Sequence, residues 1–282
     1  MNFHKPTLYN KIGKRIAPFF SRIACSSLLQ RPVRFADAYI NVLLGRGAGT
    51  GWSISEEARA VFEHVHRPAP VIFDVGANVG DWSAAILQRI PNARLFMFEP
   101  SPECRDQIMR LNLPIAKLEP CAVGEFNGRA ALYRSSVLDG SASLHARGET
   151  YFKDRIYDTI EVDVETLDAI IQHEGIDFVD FLKMDIEGHE LAALRGAEEA
   201  LDAHKIGALS FEFGGGNINS RTFFRDFWEL LSSHGFRIGR ITPGGILLEV
   251  TAYYEDLEYF RGVSNYIAEL KAHPFRSKVS QV

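Results

Sequence analysis

Short apolar runs alternate with helical patterns along the chain after residue 70. The runs that predict strands cover residues 71–75, 94–99, 116–123, 178–185 and 208–213, and a closing pair covers residues 237–242 and 246–253. Between them, apolar residues recur at helical spacing over residues 82–90, 102–111, 190–204 and 222–234. This alternation is typical of a parallel sheet that is covered by helices on both faces.

Three further sequence patterns lie before, within and near the end of the predicted sheet. The Pro-Gly-Gly sequence of residues 243–245 separates the last two predicted strands, so we expect a hairpin and an antiparallel strand at the end of the sheet. Residues 126–164 contain short polar runs with several serines, which predicts a hairpin and an active-site loop. Before the sheet, Ser53 and Glu56 indicate a capping box and a helix that ends near residue 66.

Length and composition favour an ordinary globular enzyme or binding protein. The 282 residues suffice for one α/β domain with an appended terminal segment. The net charge of −5 gives no general reason to expect a nucleic-acid partner. Cys25, Cys104 and Cys121 are far apart and odd in number, which argues against a disulfide framework or a zinc cluster. We therefore expect a protein of the reducing cytoplasm.

The N-terminal segment has a one-sided charge. Residues 1–36 contain seven lysines and arginines but no aspartate or glutamate. Their apolar stretch, residues 16–29, is interrupted by proline, serine and arginine, so it fits neither a secretory signal nor a membrane span. We expect residues 1–55 to form a basic helical extension. It either packs on the domain or on a second subunit of a homodimer, or contacts the inner face of an anionic membrane.

The glycine turn within V-I-F-D-V-G-A-N-V-G-D-W-S, residues 71–83, departs from the dinucleotide-binding pattern. In G-x-G-x-x-G, the second glycine lets the backbone approach a pyrophosphate. Counting from Gly76, the second and third glycine positions hold Asn78 and Asp81. Asp81 stands at the helix N-terminus, where phosphates would bind, and Asp74 adds a further negative charge. The turn therefore favours a ligand with positive charge and no phosphate.

S-adenosyl-L-methionine has these properties, because it carries a sulfonium, an amino group and a ribose without a pyrophosphate. Glu99 ends the second predicted strand, where its carboxylate can accept hydrogen bonds from both ribose hydroxyls. Asp74, Gly76 and Gly80 precede it in strand-turn-helix order. A nicotinamide-dependent oxidoreductase remains an alternative, although the Tyr-x-x-x-Lys pair of short-chain dehydrogenases does not occur in this chain.

A second polar cluster follows the predicted strand within F-L-K-M-D-I-E-G-H-E, residues 181–190. Strand alternation brings Asp185 into the crevice at the carboxyl edge of the sheet, and Glu187 and His189 follow on the turn. Carboxylates near a sulfonium can hold the amino group, or can take the proton from an attacking alcohol. His189 is a further candidate base, whereas Glu190 is explained by the helix N-terminus.

Glu212 ends the next predicted strand, and its carboxylate has two possible roles. With the acids of the second cluster it could bind Mg²⁺, together with a substrate diol. Alternatively, its charge only tethers the glycine loop of residues 214–216. We assign no residue to a metal, and a divalent cation such as Mg²⁺ stays an open alternative.

Four motifs together resemble the FkbM-type methyltransferases, which are class I S-adenosylmethionine-dependent O-methyltransferases. The motifs are F-D-V-G-A-N-V-G-D-W-S, F-E-P-S-P-E, C-A-V-G-E and L-K-M-D-I-E-G-H-E-L-A-A-L-R-G-A, and the resemblance covers residues 70–268. It implies a Rossmann-like seven-stranded sheet, mostly parallel with an antiparallel last strand, in a methyltransferase domain of residues 56–282. It also implies methyl transfer to a hydroxyl of a sugar, a glycan or a polyketide-type small molecule.

The resemblance also implies roles for individual residues. For the cofactor, these are Asp74, Gly76, Asn78 and Gly80 at the methionine end, Glu99 at the ribose, Ala122 near the adenine and Asp185 beside the sulfonium. The candidate catalytic bases are, in order, Asp185, Glu187 and His189. Two alternatives remain: a methyltransferase-like module that binds without catalysis, and transfer to nitrogen or carbon rather than oxygen.

Overall fold

The structure, a computed structural model, describes residues 8–47, 54–113, 116–136, 138, 140–146 and 156–274. Ser53, which the sequence predicts as a helix cap, lies outside these residues, as does part of the predicted active-site loop. The strands of the described residues are β1 (Val71–Val75), β2 (Arg94–Phe98), β3 (Ala116–Glu119), β4 (Ala122–Val123), β5 (Gly128–Arg134), β6 (Asp158–Glu165), β7 (Val179–Met184), β8 (Ile206–Gly214), β9 (Phe236–Ile241), β10 (Leu247–Val250) and β11 (Val263–Leu270).

The main sheet has eight strands in the order β10-β9-β11-β8-β7-β1-β2-β3. Strand β1 pairs in parallel with β2 on one side and with β7 on the other, so the strand order reverses at β1. Strand β11 is antiparallel to both of its neighbours, β8 and β9. The predicted fold class, a mostly parallel sheet with an antiparallel last strand, is confirmed. The main sheet has one strand more than the seven predicted: β10 is the second strand of the predicted hairpin, and the additional strand is β11.

The predicted helices are present with several differences at their ends, and two short helices, α6 and α9, were not predicted. They are α1 (Leu8–Ala24), α2 (Gln30–Leu43), α3 (Ile54–Phe62), α4 (Asp81–Arg89), α5 (Pro102–Arg110), α6 (Leu167–His173), α7 (Glu190–Arg195), α8 (Glu198–Asp202), α9 (Gly215–Ser220) and α10 (Phe224–Ser233). The helix predicted over residues 190–204 is split at Gly196, where a Cβ would lie 2.0 Å from the Gly124 carbonyl oxygen. This close approach leaves no room for a side chain.

A second, smaller sheet stands beside the carboxyl edge of the main one. Strands β5 and β6 form the antiparallel hairpin predicted for this region, and β4 pairs in parallel with β6. The run predicted as one strand over residues 116–123 is divided between β3 and β4, and Pro120, which has no N–H for a sheet ladder, stands at the break. The break moves Ala122 from the main sheet to the small one.

Alternate positions of the central strands pack into two cores. Phe73 and Leu182 face one core, whereas Ile72 and Phe181 face the other, beneath α3 and α4. An ion pair between Arg67 and Asp180 holds the start of β1. Asp180 is fully buried and accepts hydrogen bonds from Nε of Arg67 and from the Val71 N–H, both at 2.7 Å. No helix in the described part of the chain combines the length and the apolarity that crossing a membrane requires.

Candidate active site

A cleft of about 660 Å³ lies at the carboxyl ends of β1, β2 and β7, beside the point where the strand order reverses. Ligands of open α/β sheets bind at this kind of position. The cleft brings together residues that are up to about a hundred positions apart in the chain. Seven of the predicted site residues line it: Gly76, Asn78, Glu99, Ala122, Asp185, Glu187 and His189.

The turn after β1 is fixed by its backbone. Gly76 has a φ of 79°, and a Cβ on it would lie 2.0 Å from the Asp185 carbonyl oxygen. The N–H groups of Gly76 and Ala77 both donate to the Phe98 carbonyl oxygen, at 3.0 and 3.1 Å. Asn78 also has a positive φ, 48°, a conformation that asparagine tolerates better than most residues. The turn therefore holds the carboxyl ends of β1, β2 and β7 together, and its remaining side lines the cleft.

Glu99 is a buried carboxyl group at the end of β2. Its Oε2 accepts from the Asn78 N–H and its Oε1 from the Ser101 N–H, each at 2.8 Å. An ionised carboxylate has about four lone-pair sites, so each oxygen can accept another hydrogen bond. Burial raises the pKa of Glu99 to about 7, although the two backbone hydrogen bonds act in the opposite direction. The side chain can therefore accept two hydroxyl groups side by side.

Asp74 lies beneath the cleft rather than on its surface. It is fully buried, accepts from the Ser83 hydroxyl at 2.6 Å and pairs with Nζ of Lys183 at 3.0 Å. Gly80 is likewise below the surface, because a Cβ there would lie 2.8 Å from Cδ1 of Leu111. Neither residue lines the cleft, and the cofactor contacts predicted for Asp74 and Gly80 stay a prediction.

Lys183, which has no predicted role, connects the two acidic strand ends. Its Nζ donates to the Gly76 carbonyl oxygen at 3.0 Å and lies 3.7 Å from Oδ2 of Asp185. Burial would lower the pKa of Lys183, but the carboxylates of Asp74 and Asp185 raise it above its ordinary value. A lysine within a core strand, on the same face as Asp185, was the signal that could have identified it.

The acidic turn after β7 is held from two sides. The Asp185 N–H donates to the Val75 carbonyl oxygen at 3.1 Å, and the Glu187 carbonyl oxygen accepts from the Ser143 hydroxyl at 3.0 Å. Glu187 has a φ of 57°, a left-handed conformation that costs a non-glycine residue about 1–3 kcal/mol. The Asp185 side chain is 44% exposed, so it is accessible from the cleft.

His189 forms a pair with a histidine that sequence reasoning missed. Its Nδ1 lies 3.0 Å from Nε2 of His145, in the loop over residues 140–146. Burial, and then the nearby His145, lower the pKa of His189 to about 4. At neutral pH the ring is therefore uncharged but a weak base. The pair ties the loop, which lines the cleft through Ala142, to the start of α7.

The remaining wall of the cleft is apolar. Burial raises the pKa of the Cys121 thiol to about 12, so this side chain is uncharged there. The small sheet contributes most of the other apolar side chains. They are Ala122, Val123 and Leu132, together with Phe98 and Leu144.

Asp185 also lines a second cavity, of about 420 Å³, on the side of the sheet covered by α3 and α4. Glu57 of α3, Lys183 and Glu212 share this cavity. Burial, and then the charge of Asp185, raise the pKa of Glu57 to about 7 and that of Glu212 well above its usual range. Sequence reasoning missed Glu57, because its approach depends on how α3 packs. Within the described residues, no group of three or more His, Cys, Asp or Glu side chains is arranged to hold a metal ion.

The family model of the methyltransferase FkbM domain matches residues 74–238. Methyltransferase sdnD of Sordaria araneosa is 29% identical over 159 residues, which are 46% of this chain and 61% of that protein. For the 2-O-methyltransferase NoeI of Sinorhizobium fredii, the identity is 29% over 156 residues, 51% of this chain and 63% of the relative. The chain thus spans about three-fifths of the curated relatives that it matches.

Solved structures of methyltransferases also align with the chain. Methyltransferase FkbM from Methylobacillus flagellatus KT has a TM-score of 0.42 and 18% identity, over 83% of this chain and 59% of that one. The plantazolicin methyltransferase BpumL in complex with SAH has a TM-score of 0.40 and 10% identity, over 93% of this chain and 100% of that one.

Proposed function

The chain belongs to the FkbM methyltransferase family, and we propose that it transfers a methyl group from S-adenosyl-L-methionine to a hydroxyl of a sugar, a glycan or a polyketide-type small molecule. The observation that carries the proposal is the position of Glu99, a buried carboxyl group between a glycine turn and an apolar wall. In this proposal residues 56–282 form the methyltransferase domain and residues 1–55 an extension.

The lining of the cleft fits the chemical groups of the cofactor. Glu99 has lone pairs available for two ribose hydroxyls, and the apolar wall that includes Ala122 suits an uncharged aromatic base. Asp185, partly exposed at the end of β7, suits a positively charged sulfonium. Gly76 and Asn78 form the open side of the turn toward the methionine end. The acids at this edge would repel a pyrophosphate, which argues against a nicotinamide cofactor.

The acceptor oxygen attacks the methyl carbon in line, while the bond between carbon and sulfur breaks and its electron pair stays on the sulfur. S-adenosylmethionine supplies the electrophilic methyl group. The protein contributes alignment, which can lower a barrier by about 7–11 kcal/mol. It also supplies a base for the hydroxyl proton, and Asp185 is our first candidate because it lines both cavities. Glu187 is second, and His189 third because its low pKa makes it a weak base.

The proposed cofactor is tested by thermal unfolding of the full chain with S-adenosylmethionine, S-adenosylhomocysteine or NAD. A ligand at a hundredfold excess over its dissociation constant stabilises the native state by about 2.7 kcal/mol. We expect a shift with both sulfur ligands that Glu99→Ala weakens. Glu229→Ala, an exposed acid on α10, is the matched control and should keep the shift. A shift with NAD alone would overturn the proposal.

Methyl transfer itself is tested with labelled S-adenosylmethionine and a panel of sugars and polyketide alcohols. Asp185→Asn should lose turnover, because the amide cannot take a proton, but should keep the thermal shift with S-adenosylhomocysteine, which carries no sulfonium charge. An Asp185→Asn variant with full turnover would exclude Asp185 as the base. A chelator in a parallel assay tests the magnesium alternative, since loss of activity that Mg²⁺ restores would require a metal in the mechanism.

A further inference from the structure

Large apolar side chains are exposed on both N-terminal helices. On α1, Ile16, Phe19 and Phe20 lie at i, i+3 and i+4 and so share one face, and Phe19 is 72% exposed. On α2, Phe35 and Tyr39 are one turn apart, and Phe35 is 74% exposed. We call these five side chains the N-terminal apolar surface. Apolar surface of this kind on a protein marks a site of interaction.

Basic side chains accompany this surface. Lys14 and Arg15 of α1 and Arg31 and Arg34 of α2 are exposed. Residues 1–36 contain no acid, although the whole chain carries a net charge of −5. The first acid in the chain, Asp37, is paired with Arg261 of the folded domain. The surface therefore presents apolar and positively charged groups together, without compensating negative charge.

The second helix is attached to the domain by its C-terminal end. The Arg240 side chain donates through Nε to the Leu44 carbonyl oxygen at 2.7 Å. A Cβ on Gly45 would lie 2.2 Å from the Ile241 carbonyl oxygen, so the chain passes close against β9. These contacts fix α2 at its end and leave Phe35 and Tyr39 exposed to solvent.

We propose that α1 and α2 bind the surface of an anionic membrane. The N-terminal apolar surface enters the interface between headgroups and acyl chains, and the basic side chains lie at the level of the lipid phosphates. Charge complementarity selects this occupant. In a symmetric dimer the same patch meets itself, so the basic side chains would face a second set of like charges. In this proposal both helices lie along the bilayer surface, with their apolar side chains toward the acyl chains.

Cosedimentation with vesicles of phosphatidylcholine alone, or of phosphatidylcholine mixed with phosphatidylserine, tests this proposal on the full chain. We expect binding to the phosphatidylserine vesicles that weakens as salt rises. Each basic side chain near the surface is expected to contribute about fivefold to the partition coefficient, so Lys14→Glu with Arg15→Glu should reduce it by more than tenfold.

Phe19→Ser with Phe35→Ser tests the apolar contribution and should abolish binding. The matched control is Ile246→Ser, an equally exposed apolar side chain beside β10, which should bind as the unmodified chain does. Absence of binding to either vesicle, or binding that the Phe19 and Phe35 changes leave intact, would overturn the proposal. So would sedimentation velocity showing a dimer that these changes dissociate, since the surface would then join two copies. A retained thermal shift with S-adenosylhomocysteine verifies that each variant is folded.

Discussion

Protonation of Glu99 is expected to weaken the binding of S-adenosylhomocysteine as the pH falls from 8 to 6. Burial holds the pKa of Glu99 at about 7 in the free protein. Only the ionised form leaves both oxygens as acceptors for two ribose hydroxyls, since each oxygen already accepts one backbone N–H. Affinity should therefore rise with pH and level off above the pKa.

The size of the effect follows from the cost of removing the proton. A carboxyl with this pKa is about nine-tenths ionised at pH 8 and about one-tenth ionised at pH 6. If only the ionised form binds, the binding free energy at pH 6 is weaker by about 1.4 kcal/mol, which is tenfold in affinity. Two charge-assisted hydrogen bonds contribute about 1.5–3 kcal/mol each. Because this exceeds the cost of deprotonation, the bound ligand keeps Glu99 ionised, and a tenfold loss is the expected limit over this range.

Isothermal titration calorimetry over this pH range measures the effect, and two variants isolate its origin. Glu99→Gln should bind more weakly and with little pH dependence, because the amide does not titrate. Glu57 has a similar pKa but lines the second cavity, so Glu57→Gln should keep the tenfold change. The reasoning fails if affinity is independent of pH in the unmodified chain, or if Glu99→Gln keeps the same slope.

Three further outcomes are expected. Asp180→Ala removes the buried carboxylate that accepts from Nε of Arg67 and from the Val71 N–H at the start of β1, and should lower the free energy of unfolding by about 1–3 kcal/mol in urea denaturation. Gly76→Ala places a Cβ 2.0 Å from the Asp185 carbonyl oxygen and should abolish the thermal shift with S-adenosylhomocysteine. Burial raises the folded-state pKa of Glu57 and Glu190 to about 7. The free energy of unfolding of the free protein should therefore fall as the pH rises from 4.5 to 7, by on the order of 3 kcal/mol per carboxyl, and should level off above pH 7. Urea midpoints across this range, with Glu57→Gln reducing the slope, measure the last effect.

Local patterns were sufficient to predict the sheet and the cleft at its edge. The ends of β2 and β7 could be located because an acid follows each run, and the end of β1 because a glycine turn follows it. Parallel strands end at one edge of the sheet, so these three ends lie together. Strand β11 escaped prediction because Ser264, Asn265 and Glu269 interrupt its apolar residues. Two of these polar side chains have partners of their own: the Ser264 hydroxyl donates to the Phe260 carbonyl oxygen at 3.2 Å, and Glu269 accepts from Arg237 at 2.8 Å.

Residues that approach the cleft from distant segments could not be predicted. His145 reaches His189 across 44 positions, and Glu57 reaches the second cavity only because α3 packs against β7 and β8. Neither position carries a local pattern that distinguishes it from a solvated side chain. The position of Asp74 at the end of the first strand could be predicted. Its full burial beside Lys183 could not, because periodicity does not report how side chains pack.

Buried acids in and near the two cavities lower the stability of the free protein, which indicates why a cationic ligand suits it. Burial, together with repulsion from neighbouring carboxylates, raises the pKa of Glu57, Glu99 and Glu190 to about 7, so ionising these carboxyls near neutral pH costs folding free energy. A fold selected for stability alone would replace such groups. A positively charged ligand beside Asp185 would offset the repulsion and lower these pKa values again. The bound protein should therefore lose less stability than the free protein as the pH rises toward 7, and parallel denaturation series with and without S-adenosylmethionine would reveal the difference.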